Sequence, residues 1–428
     1  MGYHPRYYFV DAGSVVGVNG SGIASRGFFA WFLIAMFYAL QYIFRVMPNT
    51  FSSVIMEKFG VGAFSLGQFS AFYYIGYTAA HIPLGIMIDR YGPRRVVPCC
   101  MALTVLGMVP MLFDVWPLVQ MGRVLTGLGS AAAALSIFKV SNMYFGKRFA
   151  IMTAIAMVIG FLGAMYGGMP VLTLVEEYGW NKILLLIIAS GCILAILAAL
   201  VIYDTGDSIE KGSFLDQVKV VLCNKKLLVI SLLGGCMIGP LEGFADGWAT
   251  AFLIEVCGIS SKYASILPSS VFVGSCIGSL VFSYMLSKSV NGYSIIIYCG
   301  TLTVLAFIML LMGRCSTGTS VAIQLLVVGI CSAYQLVTVC KAIEYVGHSA
   351  VALATAVSNM IIMVFGYFFH TVIATIIHAY WNGVIENGQA VYGSGLLVKS
   401  MLVVPMGALV GTMGFMILKA IEDRRKVF

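Results

Sequence analysis

Once the charges near the ends of the long apolar runs are set aside as topological, seven charged side chains remain inside them: Arg45, Arg123, Lys139, Glu242, Asp246, Lys341 and Glu344. A charge surrounded by hydrocarbon is costly, so each one is a candidate for holding a solute, carrying a proton or closing an ion pair. The guanidinium fork of Arg45 matches a carboxylate or a phosphate; its alternative is a structural or gating ion pair with Asp246 or Glu242. Arg123 offers the same fork, or fixes its own helix near one membrane face. Lys139 and Lys341 suit a paired solute or gate contact, or snorkel to the interface. Glu242 and Asp246 are four residues apart and share a helical face. An acid kept out of water can hold a proton at physiological pH, so both are proton-coupling candidates, with salt-bridge partner as the alternative. Glu344 follows Lys341 by three residues, and a local ion pair is its simplest role. His370 can titrate near neutrality, or simply pack between helices. Gln41, Trp248 and Asn359, with Tyr38, Tyr42, Tyr73, Tyr74, Tyr334 and Gln335, would add a polar and aromatic lining.

The elements that carry these residues follow from composition. Hydrophobic residues make up 60% of the 428-residue chain and charged residues 10%. A soluble protein needs about 25% charge to cover its surface, so lipid is the solvent here. Apolar runs fall at 28–50, 66–89, 95–113, 117–145, 149–175, 182–203, 227–256, 263–287, 292–312, 319–346, 350–378 and 395–420. They are long and unalternating, which predicts helices. The expectation is an all-α membrane protein with twelve transmembrane helices in two six-helix bundles. Its parts would be a tail 1–26, a bundle 27–203, a linker 204–226, a second bundle 227–420 and a tail 421–428. The linker is the one long polar connection, and Phe214 to Cys223 within it predicts an amphipathic interfacial helix. With the N-terminus inside, sixteen lysines and arginines fall on cytoplasmic segments and five outside. That bias predicts both termini in the cytoplasm and makes the +8 net charge topological, not a nucleic-acid patch.

Other chemistries lack their signatures. No G-x-x-x-x-G-K phosphate loop points to ATP drive, and no H-E-x-x-H or G-x-S-x-G points to an enzyme. The eleven cysteines form no C-x-x-C or Cys/His cluster, so no metal or other cofactor is expected. The first twenty-five residues are polar and Gly/Ser-rich, without the apolar core of a signal peptide.

Between the second and third runs lies Gly85-Ile-Met-Ile-Asp89-Arg90-Tyr91-Gly92-Pro93-Arg94-Arg95. Gly85 permits close helix approach. Asp89 can pair with an arginine or with the positive N-terminus of another helix. Gly92-Pro93 makes the turn, and Arg90, Arg94 and Arg95 hold it on the cytoplasmic face. The order of Gly, Asp, Arg, Gly and a basic pair resembles the signature loop of the major facilitator superfamily. Arg123-Val-Leu-Thr-Gly127-Leu-Gly129 resembles that family's R-x-x-x-G-x-G pattern. Gly163-Ala-Met-Tyr-Gly167-Gly168 resembles its antiporter pattern G-P-x-x-G-G, with Ala164 in place of the proline. The halves also repeat. A shift of 198 residues lays Gly76 on Gly274, and a shift of 202 lays Gly127 on Gly329 and Lys139 on Lys341.

The resemblance implies parallel repeats and a cavity lined by helices one, four, seven and ten, which carry the seven ionisable residues. It implies a secondary transporter working by alternating access, with the signature loop as conformational switch. Four cations and three acids favour a small carboxylate-bearing solute, an organic acid or amino acid. Phe138-Lys139-Val-Ser-Asn142-Met-Tyr-Phe145 is similar to bacterial transporters of nutrient-uptake type. The expected partners are a small-molecule substrate, protons and membrane lipid, with no nucleic acid and a functional monomer in a bacterial inner membrane. The rival readings are a drug or metabolite efflux antiporter and a non-transporting receptor or sensor.

Overall fold

The structure is a computed structural model, and it describes residues 20–61, 63–204, 219–313, 318–346, 350–380, 385–386, 389–390 and 393–427. Helices dominate. The first six spans are built from α1 (Gly20–Thr50), α2 (Ser52–Phe59), α3 (Ala63–Tyr91), α4 (Pro93–Leu106), α5 (Trp116–Phe145), α6 (Phe149–Tyr166), α7 (Met169–Tyr178) and α8 (Trp180–Val201). The second six use α9 (Lys225–Gly243), α10 (Ala249–Glu255), α11 (Ser261–Ile266), α12 (Ser269–Ser287), α13 (Gly292–Leu311), α14 (Gly318–Ser332), α15 (Tyr334–Ile343), α16 (Val351–Tyr380), α17 (Ser394–Met401) and α18 (Val403–Val427). Among the described residues ten stretches are long and apolar enough to cross a membrane, and one of them, Trp116–Tyr166, holds two helices in 51 residues. The run from Lys225 to Glu255 completes twelve spans.

Several predicted spans are interrupted, spans five, seven and ten among them. Span five divides at Gly167–Gly168, between α6 and α7. Span seven passes through a π-helical turn, Phe244–Trp248, between α9 and α10. Span ten breaks at Ala333, between α14 and α15. The antiparallel pair β1 (Ile385–Glu386) and β2 (Gln389–Ala390) joins α16 to α17 and has no counterpart in the apolar pattern. The expected interfacial helix lies mostly outside the described residues, which resume at Lys219.

Backbone polarity in lipid must be satisfied inside each helix, and many hydroxyls follow the same rule. Thr104, Thr126, Ser231, Thr303, Thr338 and Thr412 each donate to a carbonyl four residues back.

Chain contacts define two units, Met1–Phe214 with His348–Leu353, and Leu215–Gly347 with Ala354–Phe428. Inside each unit the repeated glycines do the same job. A Cβ on Gly76 would meet the Val124 carbonyl oxygen at 2.2 Å, and one on Gly127 would meet that of Tyr73 at 2.1 Å. In the second unit Gly274 lies against Leu326 O and Gly329 against Val271 O, both at 2.2 Å. Each reciprocal pair lets two helices touch backbone to backbone: α3 with α5, and α12 with α14. The repeat read in the sequence is therefore a repeat of close helix crossings.

Candidate functional site

The first cluster forms at the signature loop. Helix α3 runs through Asp89 and Arg90 to Tyr91, and α4 starts at Pro93, so the turn is Gly92 alone. Gly92 holds φ 79°, and a Cβ there would meet Asp204 Oδ1 at 2.2 Å. Asp204 accepts from the Arg94 backbone N–H at 3.2 Å, so a carboxylate just past span six faces the first turn of α4. Arg94 and Arg95 are exposed, and the exposed Arg90 lies over the Tyr91 ring at 5.6 Å. Gly85 is buried in α3.

Asp89 is buried, and its Oδ1 lies 2.7 Å from Lys139 Nζ. Its two oxygens also accept from the backbone N–H groups of Ala352, at 3.3 Å, and Leu353, at 2.8 Å. These residues open α16, in the segment that belongs to the first unit. The carboxylate therefore takes a buried ammonium and the first-turn N–H groups of a helix together, and both favour its charge. Of the two partners expected for Asp89, the helix N-terminus is present, and the cation is a lysine of α5.

The second cluster surrounds Arg45 and Arg123. Residue 48 is proline and has no N–H, so the Phe44 carbonyl of α1 lacks its donor four residues on. Arg123 supplies one: Nη1 donates to Phe44 O at 2.7 Å and Nη2 to Arg45 O at 3.3 Å. Its guanidinium carbon lies 4.9 Å from the Phe69 ring centre and 4.7 Å from that of Tyr73. Arg45 lies over Tyr42 and Tyr74, at 5.6 and 5.4 Å, and its Nε donates to Tyr74 Oη at 3.3 Å. The Tyr73 hydroxyl donates to Gln41 Oε1 at 2.8 Å. One turn further, Tyr77 stacks on Tyr73, and His81 meets Tyr77 at 4.4 Å with Nδ1 2.7 Å from Tyr77 O. His81 and Asp204 carried no role in the sequence reading. The signals were there: a histidine inside an apolar run, and an acid at the end of span six beside a basic loop.

In the second unit Lys341 Nζ pairs with Glu344 Oε2 at 2.7 Å and lies over the Tyr293 ring at 5.3 Å. Gly292 makes room for the lysine stem, since a Cβ there would meet Lys341 Cε at 2.8 Å. Tyr293 and Tyr345 share a hydroxyl contact of 3.0 Å beside this pair. Glu242 is the last residue but one of α9 and lies against Gly366, where a Cβ would come within 2.7 Å of Oε2. Tyr334, at the break in span ten, is fully buried. Trp248 packs against a core that includes Leu241, Phe244, Phe252 and Phe307. Asn359 is buried in α16. The side chains of Asp246 and His370 lie outside the described residues.

The profile of the Major Facilitator Superfamily matches residues 30–369. The chain belongs to the major facilitator superfamily. No curated protein is similar to it in sequence. Among solved structures it resembles a variant of the Escherichia coli fucose:proton symporter FucP, at TM-score 0.70 and 14% identity, over 91% of this chain and 98% of that one. It also resembles a structure of FucP in the outward conformation, at TM-score 0.68 and 12% identity, over 91% and 99%.

As a member of the superfamily the chain is a multi-pass membrane protein and a secondary transporter of a small molecule, not an enzyme. The low identity to FucP extends to the fold alone.

Proposed function

We propose that this transporter takes up a small carboxylate-bearing solute, an organic acid or amino acid, by proton-coupled alternating access across a bacterial inner membrane, with both termini in the cytoplasm. The observation that carries the reading is Arg45. Two tyrosine faces and a tyrosine hydroxyl hold its guanidinium on α1, next to a carbonyl that Arg123 pins. An arginine held this way keeps its fork oriented toward a carboxylate at small entropic cost. Lys139 and Lys341 have acids at 2.7 Å and act as gate residues, with Asp89 and Glu344 as their counter-charges. Breaking and remaking the Asp89 contacts would switch the signature loop between states. Arg123 is structural in this reading, and Glu242 with Asp246 would carry the proton.

A second reading, uptake of a neutral sugar, is favoured by the tyrosines around Arg45 and by the internal pairing of the two lysines. Aromatic faces and hydroxyls suit a sugar ring, and the structural relatives include a fucose:proton symporter. Counterflow in proteoliposomes decides between the two. Labelled organic acids, amino acids and sugars are offered as separate pools, with and without an imposed pH gradient. Accumulation of a carboxylated pool, raised by inward proton flow, is the expected result. Accumulation of sugars alone would replace the first reading by the second, and exchange indifferent to pH would remove proton coupling.

A further inference from the structure

Spans seven and ten are both discontinuous, and an ionisable or hydroxylated side chain sits at each break. Glu242 lies two residues before the π-helical turn Phe244–Trp248. Tyr334 is the first residue of α15, directly after the break at Ala333. Broken helices at membrane depth mark places where a transporter handles ions and polar groups, because they free backbone and side-chain dipoles there.

The register of the two helices puts both breaks on the same side of their contact. Gly234 of α9 lies against Thr338 of α15, where a Cβ would meet Thr338 Cγ2 at 2.6 Å. Consecutive spans alternate in direction, so spans seven and ten run antiparallel. Tyr334 is one turn back along α15 from Thr338, and Glu242 is two turns forward along α9 from Gly234. A side chain in the first turn of a helix leans toward its N-terminus, which covers the remaining turn. Tyr334 is accordingly within electrostatic reach of Glu242, with Cys299 and Cys331 as its other such neighbours. Its residue is 0% exposed and its hydroxyl has no hydrogen-bond partner among the described residues. A buried hydroxyl without a partner is destabilising, and the fold retains one within electrostatic reach of a carboxyl.

We propose that Glu242 and the Tyr334 hydroxyl form the proton-binding subsite of the second unit, Glu242 holding the proton and Tyr334 acting as a positioning residue. The proposal rests on the proton-coupled reading above, and it selects one acid and adds a hydroxyl to it. When Glu242 is charged, the Tyr334 hydroxyl donates to it. When Glu242 takes up a proton, the carboxyl no longer needs that donor and the contact relaxes. Among the described residues the other titratable neighbours of Tyr334 are Cys299 on α13 and Cys331 on α14. On α16 the contact is Gly366 with Phe365 beside it, and on α18 it is Gly407 against Pro240, neither of them titratable. Asp246 follows Glu242 in the π turn, and His370 follows Gly366 on α16.

The test is an infrared pH titration of the full-length protein in liposomes, for the wild type, Glu242→Gln and Tyr334→Phe. The expected result is a protonated-carboxyl band in the wild type that Glu242→Gln lacks. In Tyr334→Phe the band remains and persists to higher pH by about one unit, a tenfold change in proton affinity, because the charged form has lost a donor. An unchanged band in Glu242→Gln overturns the proposal. An unchanged midpoint in Tyr334→Phe overturns the role of the hydroxyl, and the isosteric change keeps the fold available for the comparison. Failure of the uptake reading looks different: the wild type then accumulates no solute pool under a pH gradient, whatever its carboxyl band does.

Discussion

Lys139 Nζ stands 2.7 Å from Asp89 Oδ1, and both side chains are at most 5% exposed. The pair joins α5 to the end of α3, and the same carboxylate reaches the first N–H groups of α16. Burying two charges is worthwhile only when they are hydrogen-bonded as well as paired, and here both Asp89 oxygens have donors.

Asp89→Asn removes one charge and strands the other. Loss of one partner of a buried pair costs about 3–5 kcal/mol. We expect the variant to melt at lower temperature and to transport at least about tenfold more slowly, since 1.4 kcal/mol is already a factor of ten. Adding Lys139→Met removes the stranded ammonium and should recover much of the thermal stability but not the transport rate. A double variant no more stable than Asp89→Asn would show that the pair is not what holds this corner.

Arg123 and Pro48 act together. Arg123→Ala frees the Phe44 carbonyl again, and hydrogen bonds to a charged group contribute about 1.5–3 kcal/mol. Pro48→Ala gives α1 back an N–H for that carbonyl. The Arg123→Ala penalty should therefore shrink in the Pro48→Ala background, read as a double-mutant cycle of melting temperatures. Strict additivity would remove the proline from the explanation.

Arg45→Ala should raise the half-saturation concentration for a carboxylated solute about tenfold, the effect of about 1.4 kcal/mol. Lys341→Ala should leave it within about twofold, because Lys341 is neutralised by Glu344. The reverse order would make Lys341 the solute contact and Arg45 the gate.

Gly92→Ala asks a Cβ to occupy the space of the Asp204 carboxylate at a φ of 79°. With ψ at 158° this backbone is essentially reserved for glycine, and a residue with a side chain costs about 1–3 kcal/mol there. Thermal stability should fall by at least that much. Gly60, also at positive φ but with nothing within 4 Å, should tolerate alanine better. Equal losses at the two glycines would mean that the Asp204 contact contributes nothing.

Much of the fold was legible because its causes are local. Apolar length gives spans, and the recurrence of Gly76 and Gly127 as Gly274 and Gly329 gives the repeat. The Lys341–Glu344 pair was legible for the same reason, being three residues apart on one helix. The interruption of spans seven and ten was only half visible: span seven is dense with glycine, while Ala333 breaks span ten without any such mark.

The amino-acid sequence by itself thus determined a twelve-span membrane protein of this superfamily, the two-fold repeat and the short roster of intramembrane charges. These depend on composition, periodicity and short spacings, which are properties of neighbouring residues. Only the tertiary structure decided how that roster is used. It gave Lys139 to Asp89 across 50 positions of the chain and Leu353 to Asp89 across 264. It turned Arg123 toward a carbonyl that a proline had left without a donor, and it brought Asp204 to Gly92. Each of these is a choice among partners that are equally charged or equally polar in one dimension. Helix packing settles it, because a buried charge must take the partner whose geometry satisfies it.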